Sequence, residues 1–214
     1  MKARAKWISG ITVASLAVSV VVSLGVAAED GRAQHVRWDI MNSSLTVPPI
    51  FTPGGVAFAS ARSGGAPSGL KIKLTGSGTF VAPASGGESS AVTGGGTWET
   101  FSDCPSACLS TGSGTYFVTK LASWEFVNLW TPPPVVIDNV APGFPGASGN
   151  AVLRIQYSDG SAGTLGIGCH GPGAPDGIHE GVIATKNYVT YWESEAPVAT
   201  VNADRTAFHI IHSE

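Results

Sequence analysis

Apolar and polar residues alternate one by one along several short stretches of the chain. The clearest are residues 35–40 and 70–75, and residues 153–157, 189–191 and 208–210 continue the pattern. Successive side chains of a β-strand point to opposite faces, so this alternation indicates strands with one buried face. After the N-terminal segment, no stretch shows the 3.6-residue period and the capping residues of a long helix. The sequence therefore predicts an all-β fold of about ten strands.

A glycine-rich motif recurs three times at a spacing of 18 residues. The copies are residues 75–80, 93–98 and 111–116, which read TGSGTF, TGGGTW and TGSGTY. The spacing fits one strand and its connection in an antiparallel meander. A flexible linker is the alternative, but it has no reason to hold an aromatic ring at a fixed place. We expect the equivalent glycines Gly78, Gly96 and Gly114 to lie where the backbone bends or approaches a neighbouring strand.

Two architectures suit this many strands, an antiparallel β-barrel and a two-sheet β-sandwich. We predict the barrel, because the regular repeat favours sequential strands that pair without long crossovers; the sandwich is the alternative. Residues 131–149 interrupt the rhythm with five prolines, which cannot lie inside a paired central strand. That segment is predicted to be a long surface loop over one end of the barrel.

The N-terminal residues have the three-part layout of a secretory signal. Three basic residues among the first six precede an uncharged apolar run, residues 7–26, and the small residues Ala27 and Ala28 follow it. We therefore predict a signal peptide at residues 1–28 and a secreted, extracellular chain at residues 29–214, folded as a single all-β domain. An uncleaved membrane anchor is the alternative, because about 20 apolar residues can span a bilayer core. After cleavage, no membrane association is expected.

The charge balance bears on the class of partner. The chain has 12 Lys and Arg residues against 15 Asp and Glu residues, and three of the basic ones belong to the predicted signal. The mature chain then has a net charge of about −6 and no basic stripe for phosphates, so nucleic-acid binding is not expected. The hydrophobic content of the full sequence, 43%, is enough to fill a core, which argues against a disordered chain.

Three cysteines remain after the predicted signal, Cys104, Cys108 and Cys169. In an oxidising compartment two of them should pair. We predict a local disulfide between Cys104 and Cys108, which leaves Cys169 as a buried free thiol. A zinc site built on the closely spaced pair is the alternative, but no matching second pair occurs elsewhere in the chain.

One loop-like window, residues 168–181, concentrates groups that carry chemistry. It holds Cys169, His170, Asp176, His179 and Glu180 among glycines and prolines. A loop of this composition could bring imidazole and carboxylate groups to one point. His179 and Glu180 are therefore candidates for general acid–base catalysis, and His170 and His179 for a metal site. The alternative is a solvated turn with a capping aspartate.

Motifs for nucleophilic catalysis, phosphate binding and dinucleotide binding are missing, and the sequence identifies no cofactor. Aromatic residues are the remaining candidates. The tryptophans of the mature chain are Trp38, Trp98, Trp124, Trp130 and Trp192. Most of them should lie in the core, and the alternative is an aromatic pocket inside the barrel or a stacking platform for sugars.

Residues 91–98, which read AVTGGGTW, lead into another short glycine-led strand. This segment resembles the glycine-rich hairpin of allene oxide cyclase and dirigent proteins, and the likeness covers residues 70–130. The resemblance implies a small eight-stranded antiparallel barrel. The family places Gly-Thr-Gly where this chain has Gly-Gly-Gly-Thr, and no catalytic residue of the family matches a position here.

These observations favour an exported β-barrel that binds a small apolar ligand or has a structural role. A barrel enzyme of cyclase or isomerase type, acting on an apolar substrate in the lumen, is the first alternative. A surface interaction module is the second. An acid–base pair that faces an apolar cavity would favour the enzyme, and a flat exposed aromatic patch would favour the interaction module.

Overall fold

The structure is a computed structural model that describes residues 33–44, 46–131, 135–195 and 204–213. These residues belong to one unit, Gly31–Glu214. The predicted signal peptide and its cleavage site lie outside the described residues. Within the described ranges, no helix has the length and the apolar character needed to cross a membrane.

The described part of the chain is all-β and contains no helix, and strands make up 66% of the structure. Its fourteen strands are β1 (Gln34–Ser43), β2 (Ile50–Pro53), β3 (Ala57–Ser63), β4 (Ala66–Leu74), β5 (Ser77–Ala82), β6 (Val92–Ser102), β7 (Leu109–Leu129), β8 (Ile137–Asp138), β9 (Gly146–Tyr157), β10 (Ala162–Cys169), β11 (Gly181–Lys186), β12 (Val189–Tyr191), β13 (Glu193–Ser194) and β14 (Arg205–Ser213). The prediction of an all-β fold is confirmed.

Six strands close into an antiparallel barrel in the order β9, β14, β1, β5, β6 and β7, which returns to β9. Closure depends on the 21-residue strand β7, whose first part pairs with β6 and whose remainder pairs with β9. The predicted barrel is therefore confirmed, and the sandwich is not observed. It has six strands, whereas the barrels that residues 91–98 resemble have eight.

The other strands extend the barrel wall outward. Strands β4, β3 and β13 continue from the second half of β6, and β10, β11 and β12 continue from β9. Consecutive strands β12 and β13 pair with β11 and β3 respectively, so a short segment joins the two extensions. One recess of the molecule opens between β6, β7 and the β11–β12 hairpin.

The proline-rich segment differs from the predicted uninterrupted loop. Its residues 137–138 form β8, which pairs in parallel with β2, and its last four residues already belong to β9. These stretches contain no proline and keep the amide donors that pairing requires. Within the segment, Val140 packs against the outward-facing side chains of Met41 and Ala207. The described residues around Val140 therefore lie on the outer wall of the barrel, whereas the prediction placed the segment over one end.

Large side chains fill the barrel. The biggest fully buried ones are Trp38, Tyr157, Phe80 and Phe208. Trp124 joins them, with its ring 4.7 Å from that of Phe208. The expectation that most tryptophans belong to the core holds for those on β1, β6 and β7, whereas Trp192 is 65% exposed. The recesses described below open to solvent instead of occupying the barrel interior.

The glycine repeat marks places where neighbouring strands approach closely. A Cβ atom on Gly96 would lie 1.8 Å from the carbonyl oxygen of Thr75, and one on Gly78 would lie 2.2 Å from that of Thr93. Neither glycine has a positive φ, so the lack of a side chain is what the position requires. Gly114, in the third copy, is also crowded. The expected close approach is confirmed.

Candidate functional site

The window at residues 168–181 connects β10 to β11. Its glutamate, Glu180, is hydrogen-bonded to the protein backbone. Glu180 accepts hydrogen bonds from the backbone N–H of His170 at 2.8 Å and from that of Thr206 at 2.9 Å. Burial raises the pKa of Glu180, and these two amide hydrogen bonds act in the opposite direction. Glu180 thus holds the connection against β14. The imidazole of His170 takes no part in this contact, and the side chain is exposed.

His179 lies against Gly168 at the end of the same connection. A Cβ atom on Gly168 would lie 2.5 Å from Cε1 of the imidazole, and Nε2 is buried without a hydrogen-bond partner. Burial lowers the pKa of His179. Among the described residues, no group of three or more His, Cys, Asp and Glu side chains could hold a metal ion. The catalytic role of His179 and Glu180 and the metal role of His170 and His179 stay predictions.

The cysteines lie as the sequence indicates. Cys104 and Cys108 form a disulfide, and Cys169 is a buried free thiol. Both predictions are confirmed. Burial raises the pKa of the Cys169 thiol, which disfavours the nucleophilic thiolate.

A different group of residues forms an open aromatic cleft. Strand β11 turns Val182, Ala184 and Lys186 toward the interior, and the lysine side chain is only 5% exposed. Its Nζ atom lies 4.0 Å from the ring centroid of Trp98 and 4.4 Å from that of Tyr157. A buried ammonium group over two ring faces gains a cation–π interaction that partly replaces its lost hydration.

Hydrogen bonds fix this lysine on its other side. Nζ of Lys186 donates to the carboxylate of Asp159, and to Oγ of Ser161 at 2.8 Å. The same aspartate accepts the backbone N–H of Ser161 at 3.0 Å and its hydroxyl at 2.7 Å. The hydrogen bond from Lys186, followed by those from Ser161, lowers the pKa of Asp159 to about 2. Asp159 is therefore ionised at neutral pH, and the floor of the cleft carries a paired positive and negative charge.

The cleft has a volume of about 280 Å³. Its walls combine aromatic rings, hydroxyl groups and one amide, contributed by Leu70, Trp98, Thr100, Phe101, Thr111, Gly112, Asp159, Lys186, Asn187, Tyr188, Val189 and Tyr191. Thr111 donates to the hydroxyl of Thr100 at 2.9 Å. Tyr188, in the turn between β11 and β12, is 96% exposed at the edge of the cleft.

The glycine repeat also sets the position of the Trp98 ring. Its indole N–H donates to the carbonyl of Thr115 at 3.1 Å. Cβ atoms on Gly112 and Gly114 would approach the ring to 3.4 and 3.0 Å, so the absence of side chains lets β7 lie flat against it. The ring is thereby held in one orientation, which favours pre-formed recognition of a ligand.

The titration behaviour of the cleft favours binding over proton transfer. Asp159 stays ionised at neutral pH. Burial raises the pKa of Tyr157 and of Tyr191 above the ordinary phenol value, so both stay protonated. A general acid or base works best with a pKa near the working pH. Of these groups, Asp159 and Tyr191 line the cleft, and they can hydrogen-bond to a ligand without exchanging protons with it.

Comparisons with protein-family models, with curated proteins and with solved structures find no match to this chain. The resemblance of residues 91–98 to the hairpin of allene oxide cyclase and dirigent proteins stays a prediction. Sequence reasoning named Trp98 but missed Lys186 and Asp159. The available signal was the alternation of Val182, Ala184 and Lys186, which places a charged residue at an inward position of a strand.

Proposed function

We propose that the protein is an exported binding protein that takes a small sugar in the aromatic cleft. The observation that carries this proposal is the pair formed by Lys186 and Asp159 against the rings of Trp98 and Tyr157, at the floor of an open cleft. Export rests on the N-terminal sequence pattern and agrees with the disulfide between Cys104 and Cys108, since disulfides persist in oxidising compartments.

The chemistry of the walls suits a ligand with two kinds of surface. A sugar ring presents C–H groups on its faces and hydroxyl groups around its rim. The exposed ring of Tyr188 offers a flat apolar face at the entrance. Thr111, Asn187 and the free side of Asp159 provide donors and acceptors around it. A few convergent polar groups within an aromatic recess are the usual composition of a small-molecule site.

Calorimetric titration of the mature chain with glucose, galactose, mannose, N-acetylglucosamine and cellobiose tests the proposal. We expect saturable binding of at least one of them. Tyr188→Ala should weaken that binding about fivefold, the effect of losing a ring contact of about 1 kcal/mol. Trp192→Ala is the matched control, because Trp192 is an exposed ring that does not line the cleft. No saturable binding of any sugar, or an equal loss in both variants, would contradict the proposal.

A further inference from the structure

A second recess is formed by the described part of the proline-rich segment together with Trp130, which follows β7. Its volume is about 230 Å³, and it is lined by Trp130, Val136, Asp138, Gly143, Phe144, Pro145 and Gly146. Every lining side chain is apolar except that of Asp138. The recess shares no residue with the aromatic cleft, so a ligand here would be independent of the proposed sugar binding.

The carboxylate in this wall is held rigidly. Oδ1 of Asp138 accepts the backbone N–H groups of Val140 at 2.8 Å and of Ala141 at 3.3 Å. Its Oδ2 lies 2.9 Å from Nε2 of His209. The side chain of Asp138 is 18% exposed, and it reaches solvent at the recess. A carboxylate can accept about four hydrogen bonds, so besides the two amides and the His209 contact the Asp138 carboxylate keeps room for one from a ligand.

The charges behind the carboxylate leave it without a full counter-ion. His209 is completely buried, and burial lowers its pKa, against the opposing effect of the Asp138 and Asp39 charges. The guanidinium group of Arg37 makes two hydrogen bonds to Asp39, at 2.7 and 2.9 Å. With His209 neutral, the two carboxylates of Asp39 and Asp138 outnumber the single cation, Arg37, by one charge. Of these charged groups, Asp138 is the one that lines the recess.

Aromatic rings frame the carboxylate. Trp130 lies flat on the backbone, because a Cβ atom on Gly146 would come within 2.2 Å of its ring. Phe144 forms another wall and is 41% exposed. Aromatic faces beside a carboxylate attract organic ammonium groups through the ring quadrupole as well as through the charge. An anion would be repelled by the carboxylate and by the ring faces. A neutral apolar molecule would leave the carboxylate without a partner.

We propose that this recess binds a small organic cation, a protonated amine carried on an apolar body, with Asp138 as its counter-ion and Trp130 and Phe144 as its aromatic walls. Protonation of His209 would supply an internal cation that competes for the same carboxylate. Affinity should therefore fall on acidification below the ordinary histidine range. By linkage, a bound ammonium group should make His209 harder to protonate.

The test uses 2-phenylethylamine as the probe, with 2-phenylethanol and phenylacetate as neutral and anionic analogues of similar shape, monitored by NMR titration of the mature chain. We expect the amine to bind saturably and at least about tenfold more tightly than either analogue. Only the ammonium group forms an ion pair with the carboxylate, whereas the alcohol donates an uncharged hydrogen bond and phenylacetate is repelled. Asp138→Asn should remove that preference while keeping an acceptor for the two amides. Asp103→Asn, which removes an exposed carboxylate at the turn after β6, should leave the preference for the amine unchanged.

If Asp138→Asn does not fold, a second variant and a measurement on the unaltered protein test the proposal. Phe144→Ala alters a partly exposed wall and should weaken binding of the amine severalfold, since a ring contact is worth on the order of 1 kcal/mol. Saturating amine should also shift the NMR titration of His209 to lower pH in the unaltered protein. Equal binding of amine and alcohol, tighter binding of phenylacetate, an equal loss in Asp103→Asn, or no saturation up to about 10 mM amine would each overturn the proposal.

Discussion

The glycine at position 96 offers the sharpest test of how the repeat stabilises the barrel. In Gly96→Ala the new methyl group would lie 1.8 Å from the carbonyl oxygen of Thr75 and 2.7 Å from the Cα atom of Gly76. Both are backbone atoms of the neighbouring chain segment, so no side-chain rotation can relieve the clash. The segment that joins β4 to β5 must move instead, or the pairing between β5 and β6 must break.

The expected magnitude follows from two opposing effects. Forcing an extra methyl group into a packed site costs typically about 1–3 kcal/mol, and backbone crowding belongs to the upper end. Replacing glycine lowers the entropy of the unfolded chain, which returns about 0.4–1 kcal/mol. We therefore expect a net destabilisation of roughly 2 kcal/mol, or a decrease in Tm of about 4–8 °C for a chain of this size.

The matched control is Gly112→Ala, in strand β7. Its Cβ atom would lie 3.4 Å from the Trp98 ring and 3.7 Å from the hydroxyl of Thr100, and Gly112 has no positive φ. This variant should stay within about 0.5 kcal/mol of the wild type. Gly114→Ala should lie between the two, because its nearest contact, at 2.4 Å, is the side-chain hydroxyl of Ser158, which can rotate away at the cost of its hydrogen bond from the backbone N–H of Thr115.

Urea unfolding of the mature chain and the three single variants, followed by tryptophan fluorescence, measures these differences at constant m-value. The decisive quantity is the difference between Gly96→Ala and Gly112→Ala. If the first variant is no less stable than the second, the close approach of Gly96 to Thr75 does not constrain the fold, and the repeat is a matter of composition.

Three further predictions concern titration and redox state. Burial raises the pKa of Asp204 to about 6, with the charges of Glu195 and Glu180 adding to it, so its ionisation opposes folding at neutral pH. Asp204→Asn should therefore be more stable than wild type at pH 7, and urea titrations should show this advantage shrinking as pH falls from about 6 to 4. Thiol counting should find one reactive thiol, Cys169, that alkylates only after denaturation, since its side chain is 2% exposed; immediate reaction of the native chain would contradict this burial. Cys108→Ser should cost less than the 3 kcal/mol or so of a 15-residue disulfide loop, because the loop it opens is much shorter; a larger loss in urea unfolding would contradict that reasoning.

Local signals in the chain were sufficient for the fold class and the redox pairing. Period-two alternation depends only on which residues follow one another, and it predicted buried strands such as β1. The four-residue separation of Cys104 and Cys108 favoured a disulfide between them. The repeat located the glycines that neighbouring strands approach closely. Each of these features can be found in the order of residues along the chain, without knowledge of which distant segments meet.

The candidate sites depend on contacts between distant parts of the chain. The Lys186 ammonium group lies over Trp98, 88 positions earlier in the sequence. Asp138 and His209 come together only because the proline-rich segment packs on the outer wall of the barrel. Conversely, the composition of residues 168–181 predicted a functional site. In the structure, Glu180 of this window accepts hydrogen bonds from backbone N–H groups of β14 and of its own loop. Strand order and register decide which side chains share a recess, and those are set by the burial of the whole chain. Spacing along a single segment does not contain that information.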